Sequence, residues 1–166
     1  MNRSIKWFSE IGLNDVPVVG GKNASLGEMY RELTSQGIRV PDGFATTAEA
    51  YWRFLRVTGL DKTISTLLLG LDTRDVVDLR KRGSQIRHAI LAAELPRDLA
   101  GEIVAAYNTL SGGNLLHSAR VAVRSSATAE DLPDASFAGQ QETYLNIQGH
   151  YALLDACKRF YASLFK

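Results

Sequence analysis

Val18-Val19-Gly20-Gly21-Lys22-Asn23-Ala24-Ser25-Leu26-Gly27-Glu28-Met29 reads as a glycine-led turn that opens onto a helix. Paired glycines let the backbone turn sharply and come close to another group. Beyond them Leu26, Met29 and Leu33 recur at spacings of three and four, the pattern of one helix face. Gly37, with Pro41 just past it, is placed to end that helix. The same helical period returns through most of the chain and makes the expected fold helix-rich.

A second helix follows Thr46-Thr47, where a threonine can cap and Glu49 falls in the first turn, and it runs through Tyr51, Phe54 and Leu55 to Gly59. In a third, Val76, Leu79, Ile86 and Ile90 share a face that Arg80, Lys81, Arg82 and Arg87 leave, and Gly83 interrupts the pattern. Pro96 starts a fourth, because a first-turn proline loses no hydrogen bond, and Leu99, Ile103, Ala106 and Leu110 form its stripe. A last helix carries Leu154, Cys157, Tyr161 and Leu164. Strand patterns are fewer. Arg120-Val121-Ala122-Val123-Arg124 alternates, as does Thr143-Tyr144-Leu145-Asn146-Ile147 before Gly149. Ile5 to Phe8 and Val16 to Val19 are weaker strand candidates. The expected class is α+β, helix-rich with a small antiparallel sheet.

The 166 residues suffice for one domain with a sizeable core. With 45% hydrophobic and 22% charged residues the composition is that of an ordinary globular protein. Nineteen Lys and Arg against eighteen Asp and Glu leave a net charge of +1, so nothing in bulk charge calls for nucleic acid or an acidic membrane. The apolar runs fall short of the roughly 20 residues that a membrane span needs, and no apolar signal-type segment follows Met1. The single cysteine, Cys157, excludes an internal disulfide and reads as a core residue on a helix face. A reducing cytoplasm is the expected setting.

Three segments depart from plain structural patterning. At the glycine turn, backbone N–H groups and the helix dipole favour an anion, and Lys22 adds a mobile positive charge. The spacing is neither that of a Walker A loop nor that of a dinucleotide-binding fingerprint, and on these residues alone a tight turn with a solvated lysine is the favoured reading. In Val121-Ala122-Val123-Arg124-Ser125-Ser126-Ala127-Thr128-Ala129-Glu130-Asp131 a strand delivers an arginine followed by hydroxyl-bearing residues. A guanidinium grips phosphate oxygens in pairs, and hydroxyls can supplement it. Alternatively Arg124 pairs with Glu130 or Asp131 and the serines serve as caps; those two acids, without a further carboxylate cluster, read as solvated loop residues rather than magnesium ligands. Asp134-Ala135-Ser136-Phe137-Ala138-Gly139-Gln140-Gln141-Glu142-Thr143-Tyr144 suits either a loop that closes over a ligand or a mere connection. His88, His117 and His150 have no partner at catalytic or metal-ligand spacing and read as surface or capping residues.

Taken together, these segments resemble the phosphoenolpyruvate synthase family. The resemblance is carried by Gly20 through Met29, by Val40-Pro41-Asp42-Gly43-Phe44-Ala45-Thr46-Thr47, by Val123 through Asp131 and by Ser136 through Tyr144, in family order. It extends from Trp7 to Phe165. The wider family includes pyruvate phosphate dikinase and rifampin phosphotransferase, whose arginine and glutamine motifs are shared; Asn23-Ala24-Ser25 and Pro133-Asp134-Ala135-Ser136 favour the synthase. The resemblance implies the amino-terminal lobe of an ATP-grasp-type nucleotide-binding domain over residues 1–166. It implies a kinase-like phosphotransferase of gluconeogenesis that turns ATP, pyruvate and water into AMP, phosphoenolpyruvate and phosphate, with magnesium. Lys22 and Arg124 would then hold ATP phosphates, while Gly139, Thr143 and Tyr144 would line the nucleotide cleft. No residue here is assigned a catalytic or metal-binding role.

A second ATP-grasp lobe with its magnesium-binding carboxylates, a phosphohistidine motif and a pyruvate-binding barrel are not found in the sequence. Lys166 comes one residue after the apolar pair Leu164-Phe165. The expectation is therefore a part of a longer enzyme: half of an ATP site, inactive alone, reaching pyruvate only through other domains, in a full-length protein that forms a homo-oligomer. Exposed apolar surface is expected near Leu164 and Phe165. The rival readings are a fragment of rifampin phosphotransferase or pyruvate phosphate dikinase, and a stand-alone nucleotide-binding module.

Overall fold

A computed structural model describes residues 3–113, 118–126, 128 and 143–165. In chain order they form β1 (Ile5–Trp7), two short 3₁₀ turns (Phe8–Glu10 and Leu13–Asp15), α1 (Val16–Val19), α2 (Gly21–Ser35), β2 (Phe44–Thr46), α3 (Ala48–Thr58), α4 (Leu60–Leu68), α5 (Val76–Ala92), α6 (Arg97–Leu110), β3 (Val121–Arg124), β4 (Thr143–Ile147) and α7 (His150–Ser163). The helix-rich α+β class is what the sequence led one to expect. In place of one small sheet there are two antiparallel pairs, β1 with β2 and β3 with β4.

The main core lies among α3 to α7, where Phe54, Leu55, Leu60, Ile64, Ile86, Ile90, Leu99, Ile103, Tyr107 and Leu153 are buried together. Each large side chain removed from water in this way contributes on the order of 2 kcal/mol. A second, smaller core holds Ile11, Val19, Ala24 and Ala45, flanked by Phe8 and Val16.

Local chemistry explains the helix boundaries. Thr47 caps α3, its hydroxyl accepting from the Ala50 N–H at 3.3 Å and donating to the Arg3 carbonyl at 3.0 Å, which also ties β1 to the helix. Asp75 caps α5 through the Val77 and Asp78 amides, both at 3.0 Å. Gly59, in the left-handed region at φ +71°, ends α3 and lets α4 start at once.

Four sequence expectations change. Residues Val16–Val19, a candidate strand, form a helical turn, because Pro17 sits in the first turn where its missing N–H costs nothing. α4 was not anticipated: Thr63, Ser65 and Thr66 weaken a helical reading, yet each hydroxyl donates back to the carbonyl four residues earlier while Leu60 and Ile64 face the core. In α2 the buried face is Gly21, Ala24 and Gly27, not Leu26, Met29 and Leu33. A β-carbon added at Gly27 would lie 2.6 Å from the Ile11 carbonyl oxygen and 2.7 Å from its Cβ, so the smallest residues set the approach there. In α7 the fully buried positions are Leu153, Ala156, Phe160 and Ala162, while Leu154, Cys157 and Tyr161 pack at the edge of the core.

α7 runs antiparallel along α5. Lys158 Nζ donates to the Leu91 and Ala93 carbonyls at one end, and Arg87 Nη1 donates to the Phe165 carbonyl at 2.6 Å at the other. Gly83, costly to helix propensity, gives that carbonyl room: a β-carbon there would stand 2.7 Å from it. Leu164 is half exposed, and with Leu68, Leu71, Val76, Leu79 and Phe165 it borders an open, largely apolar groove of about 660 Å³.

Tyr107 connects the core to the second strand pair. Its buried hydroxyl donates to the Ala119 carbonyl just before β3 and accepts from the Gly149 N–H, at 3.0 Å, just before α7. Ser111 adds a bond, its hydroxyl accepting from the Ala119 N–H at 3.0 Å. Tyr107→Phe would strand a carbonyl and an amide at once, and we expect it to lower unfolding stability by about 2 kcal/mol in urea denaturation.

Near the amino terminus, Lys6 Nζ meets Asp15 Oδ1 at 2.6 Å and the Gly12 N–H meets Oδ2 at 3.0 Å. The Lys6 hydrogen bond, then the Gly12 amide, hold the Asp15 carboxyl below its ordinary value of 3.8. A depressed folded pKa contributes stability above the unfolded value, and that contribution is lost as pH falls through the folded one. Asp15→Asn is therefore expected to flatten the acid limb of the stability profile below about pH 4, measured by denaturation across pH.

Candidate functional site

Gly20 is the hinge on which the site is built. Its backbone sits at φ +82°, ψ 159°, a region essentially reserved for glycine, and it breaks the path between α1 and α2. Space forbids a side chain as well. A β-carbon on Gly20 would lie 2.3 Å from the Ser126 Oγ and 2.7 Å from the Ser126 carbonyl carbon and oxygen. The Asn23 N–H, in the first turn of α2, donates to the same Ser126 hydroxyl at 3.3 Å, and Asn23 Nδ2 donates to the Val19 carbonyl at 2.8 Å. The loop after β3 is thus laid across the amino-terminal end of α2.

Two candidate cations flank that contact in sequence. Lys22 is exposed in the first turn of α2, two residues after Gly20, and Arg124 is exposed at the end of β3, two residues before Ser126. Thr143 is the direct cross-strand partner of Arg124 and is likewise exposed. Side chains alternate across a strand, so the Arg124–Thr143 pair and the Val123–Tyr144 pair occupy opposite faces. Tyr144 turns to α7: its ring centroid is 4.7 Å from that of Phe160, and the Arg159 guanidinium lies 5.9 Å from its centroid. Val121 faces Ile147 and Val123 faces Tyr144, so β4 holds one extra residue there. Asn146, at φ +57°, absorbs it, which keeps Tyr144 and Ile147 half buried although three positions apart.

The Gly20–Ser126 contact brings the segments that carry Lys22 and Arg124 together, Thr143 stands opposite Arg124, Tyr144 lies on the other strand face, and Gly139 lies outside the described residues. So do Glu130 and Asp131, the acids weighed as partners of Arg124, and His117. His88 Nδ1 stands 2.8 Å from the Ser84 carbonyl and His150 Nε2 stands 2.8 Å from Asn108 Oδ1, both exposed and within helical contacts. Among the described residues no group of three or more His, Cys, Asp or Glu is placed to hold a metal ion, so they offer magnesium no ready set of ligands. Cys157 is half buried against the core, and burial pushes its thiol up to about 12, which keeps it protonated and unreactive at neutral pH. No described helix is long and apolar enough to cross a membrane. The sequence singled out Lys22 and Arg124, but not Ser126 as the group that joins their segments; the one hint was a second glycine where a turn requires one.

The family model of the pyruvate phosphate dikinase AMP/ATP-binding domain matches residues 16–166. The chain belongs to that family. All five candidate positions fall inside the matched region. Among curated relatives, the phosphoenolpyruvate synthase of Aquifex aeolicus is 50% identical over 161 residues, which cover 97% of this chain and 19% of the relative. The enzyme of the same name from Neisseria meningitidis is 54% identical over 159 residues, 96% of this chain and 20% of the relative, and that of Escherichia coli is 52% identical over 161, 97% and 20%. The chain thus spans about a fifth of the length of these relatives.

Filling Gly20 meets both a backbone cost and the Ser126 contact, and Gly37 offers a comparison without such a contact. Gly37 has a similar φ of +78° but open space where a β-carbon would go. Gly37→Ala is expected to cost about 1 kcal/mol for its backbone alone, and Gly20→Ala at least ~2 kcal/mol more, because its φ/ψ region excludes a side chain and Ser126 must also move. Paired urea denaturation curves measure the difference.

Proposed function

We propose that this chain supplies the phosphate-gripping half of an ATP site, as the amino-terminal part of the ATP-grasp domain of a phosphoenolpyruvate synthase. The observation that supports the reading is the Gly20–Ser126–Asn23 contact, which brings together two segments distant in sequence, one carrying Lys22 and the other Arg124. Triphosphate carries several negative charges, and phosphoryl transfer is assisted chiefly by positioning and by neutralising charge on the transferring oxygens. Lys22 supplies a point charge beside the helix terminus, and Arg124 supplies a planar fork suited to two oxygens. Thr143, across the ladder from Arg124, brings a hydroxyl to the same face. Gly139 and Tyr144 enter this reading as cleft residues on the family resemblance alone, since Gly139 lies outside the described residues and Tyr144 packs on Phe160 on the opposite strand face.

In the full-length enzyme this site would serve the conversion of ATP, pyruvate and water to AMP, phosphoenolpyruvate and phosphate. The relatives' shared name supports the synthase over rifampin phosphotransferase and over the dikinase. Magnesium enters with the nucleotide in this reading, its carboxylate ligands coming from the second lobe. Pyruvate is bound by other domains, and the cytoplasm is the compartment.

ATP titration by calorimetry tests the site. Lys22→Ala and Arg124→Ala should each weaken ATP binding about tenfold, the loss of one charge-assisted phosphate contact. Affinity unchanged in both variants would refute the assignment. The purified chain should form no phosphoenolpyruvate from ATP and pyruvate, and turnover would show that it needs no other domain.

A further inference from the structure

Helix α2 begins without a cap of its own. Its N-cap residue is Gly20, which has no side chain, and neither Gly21 nor Lys22 can take that role from within the helix. Elsewhere in the molecule the same task is done locally, by Thr47 for α3 and Asp75 for α5. For α2 the third helical residue, Asn23, donates its N–H to Ser126 Oγ, 103 positions away in sequence. A serine hydroxyl accepting the amide of the third helical residue is the ordinary geometry of an N-cap. Here the hydroxyl arrives from another segment, and it can do so only because Gly20 leaves the space in which Ser126 sits.

We infer that Ser126 is a positioning residue of the nucleotide site: it acts as a cap in trans that fixes the amino-terminal end of α2, and with it Lys22, relative to the end of β3 that carries Arg124. This rests on the ATP reading for its consequence but not for its geometry. Ser126 takes the Asn23 amide for itself, so that amide is not a donor to the nucleotide, and the anion is gripped from the flanks by Lys22 and Arg124. The relative placement of the two segments that carry those charges then depends on that hydroxyl. Removing the hydroxyl frees the two segments to separate without deleting either charge.

Two measurements test it. In the unliganded wild-type chain, NMR hydrogen exchange should find the Asn23 amide at least about tenfold slower than an unstructured amide, since first-turn amides of a helix have no partner within it. Ser126→Ala should restore most of that loss while leaving protection in α3, α5 and α6 unchanged. An Asn23 amide that exchanges at the unstructured rate in the wild type, or equally slowly in both proteins, overturns the inference whether or not ATP binds. For the nucleotide, Ser126→Ala is expected to weaken ATP binding about fivefold in the wild-type background and less than twofold when Lys22→Ala is already present. A merely structural role would lower the melting temperature and leave the ATP dissociation constant of the folded protein where it was. An unaltered dissociation constant, or the same fivefold loss in both backgrounds, overturns the positioning role. If the wild-type chain binds no ATP, the same variants are titrated in the full-length enzyme that holds both halves of the site, and the exchange data decide independently whether Ser126 is the cap.

Discussion

One buried hydroxyl connects the body of this protein to its candidate site. Tyr107 sits among the core helices with 1% of its surface exposed, yet its oxygen serves backbone groups of two other segments, the approach to β3 and the start of α7. A buried polar group is tolerated only when it is paired, and here the pairing also fixes the place of the strand pair. From there the order of dependence is short. β3 carries Arg124, its continuation carries Ser126, and Ser126 meets Gly20 and Asn23, which hold the turn that bears Lys22.

The two ends of that path are stabilised differently. Around Tyr107, large side chains from five helices exclude water from one another. Around Gly20 and Gly27 the second core is small, and fit is achieved by the absence of side chains: the Ile11 backbone and the Ser126 loop occupy the volume that a β-carbon would take. Less apolar area is removed from water there, so a hydrogen bond such as that between Asn23 and Ser126 carries a larger share of the local stability. Polar contacts of this kind set the segments while leaving Lys22 and Arg124 exposed.

Much of the helical framework could be read from the residues. The caps at Thr47, the glycine at 59, the proline before α6 and the periodic Leu99, Ile103 and Ala106 act locally, and local chemistry is what periodicity reports. α4 escaped because its hydroxyl residues compete with a helical reading until their oxygens are seen to bond backward along the same helix. The buried face of α2 escaped for the opposite reason. Leu26, Met29 and Leu33 are the apolar residues, but a neighbour that approaches to contact distance selects Gly21, Ala24 and Gly27. Proline in the first turn outweighed the strand preference of the valines at 16, 18 and 19.

The sequence by itself determined the helix-rich class, the strand that ends in Arg124, the glycine turn before Lys22 and, by resemblance, the family to which the chain belongs. These follow from short-range preferences or from motifs whose residues lie side by side. Only the tertiary structure decided that Thr143 stands opposite Arg124, that Tyr144 turns toward Phe160, and that Ser126 closes the end of α2. Each of these joins residues far apart in the chain. Strand register, a one-residue bulge and the volume left by a missing side chain are set by how segments meet, and no local pattern encodes them.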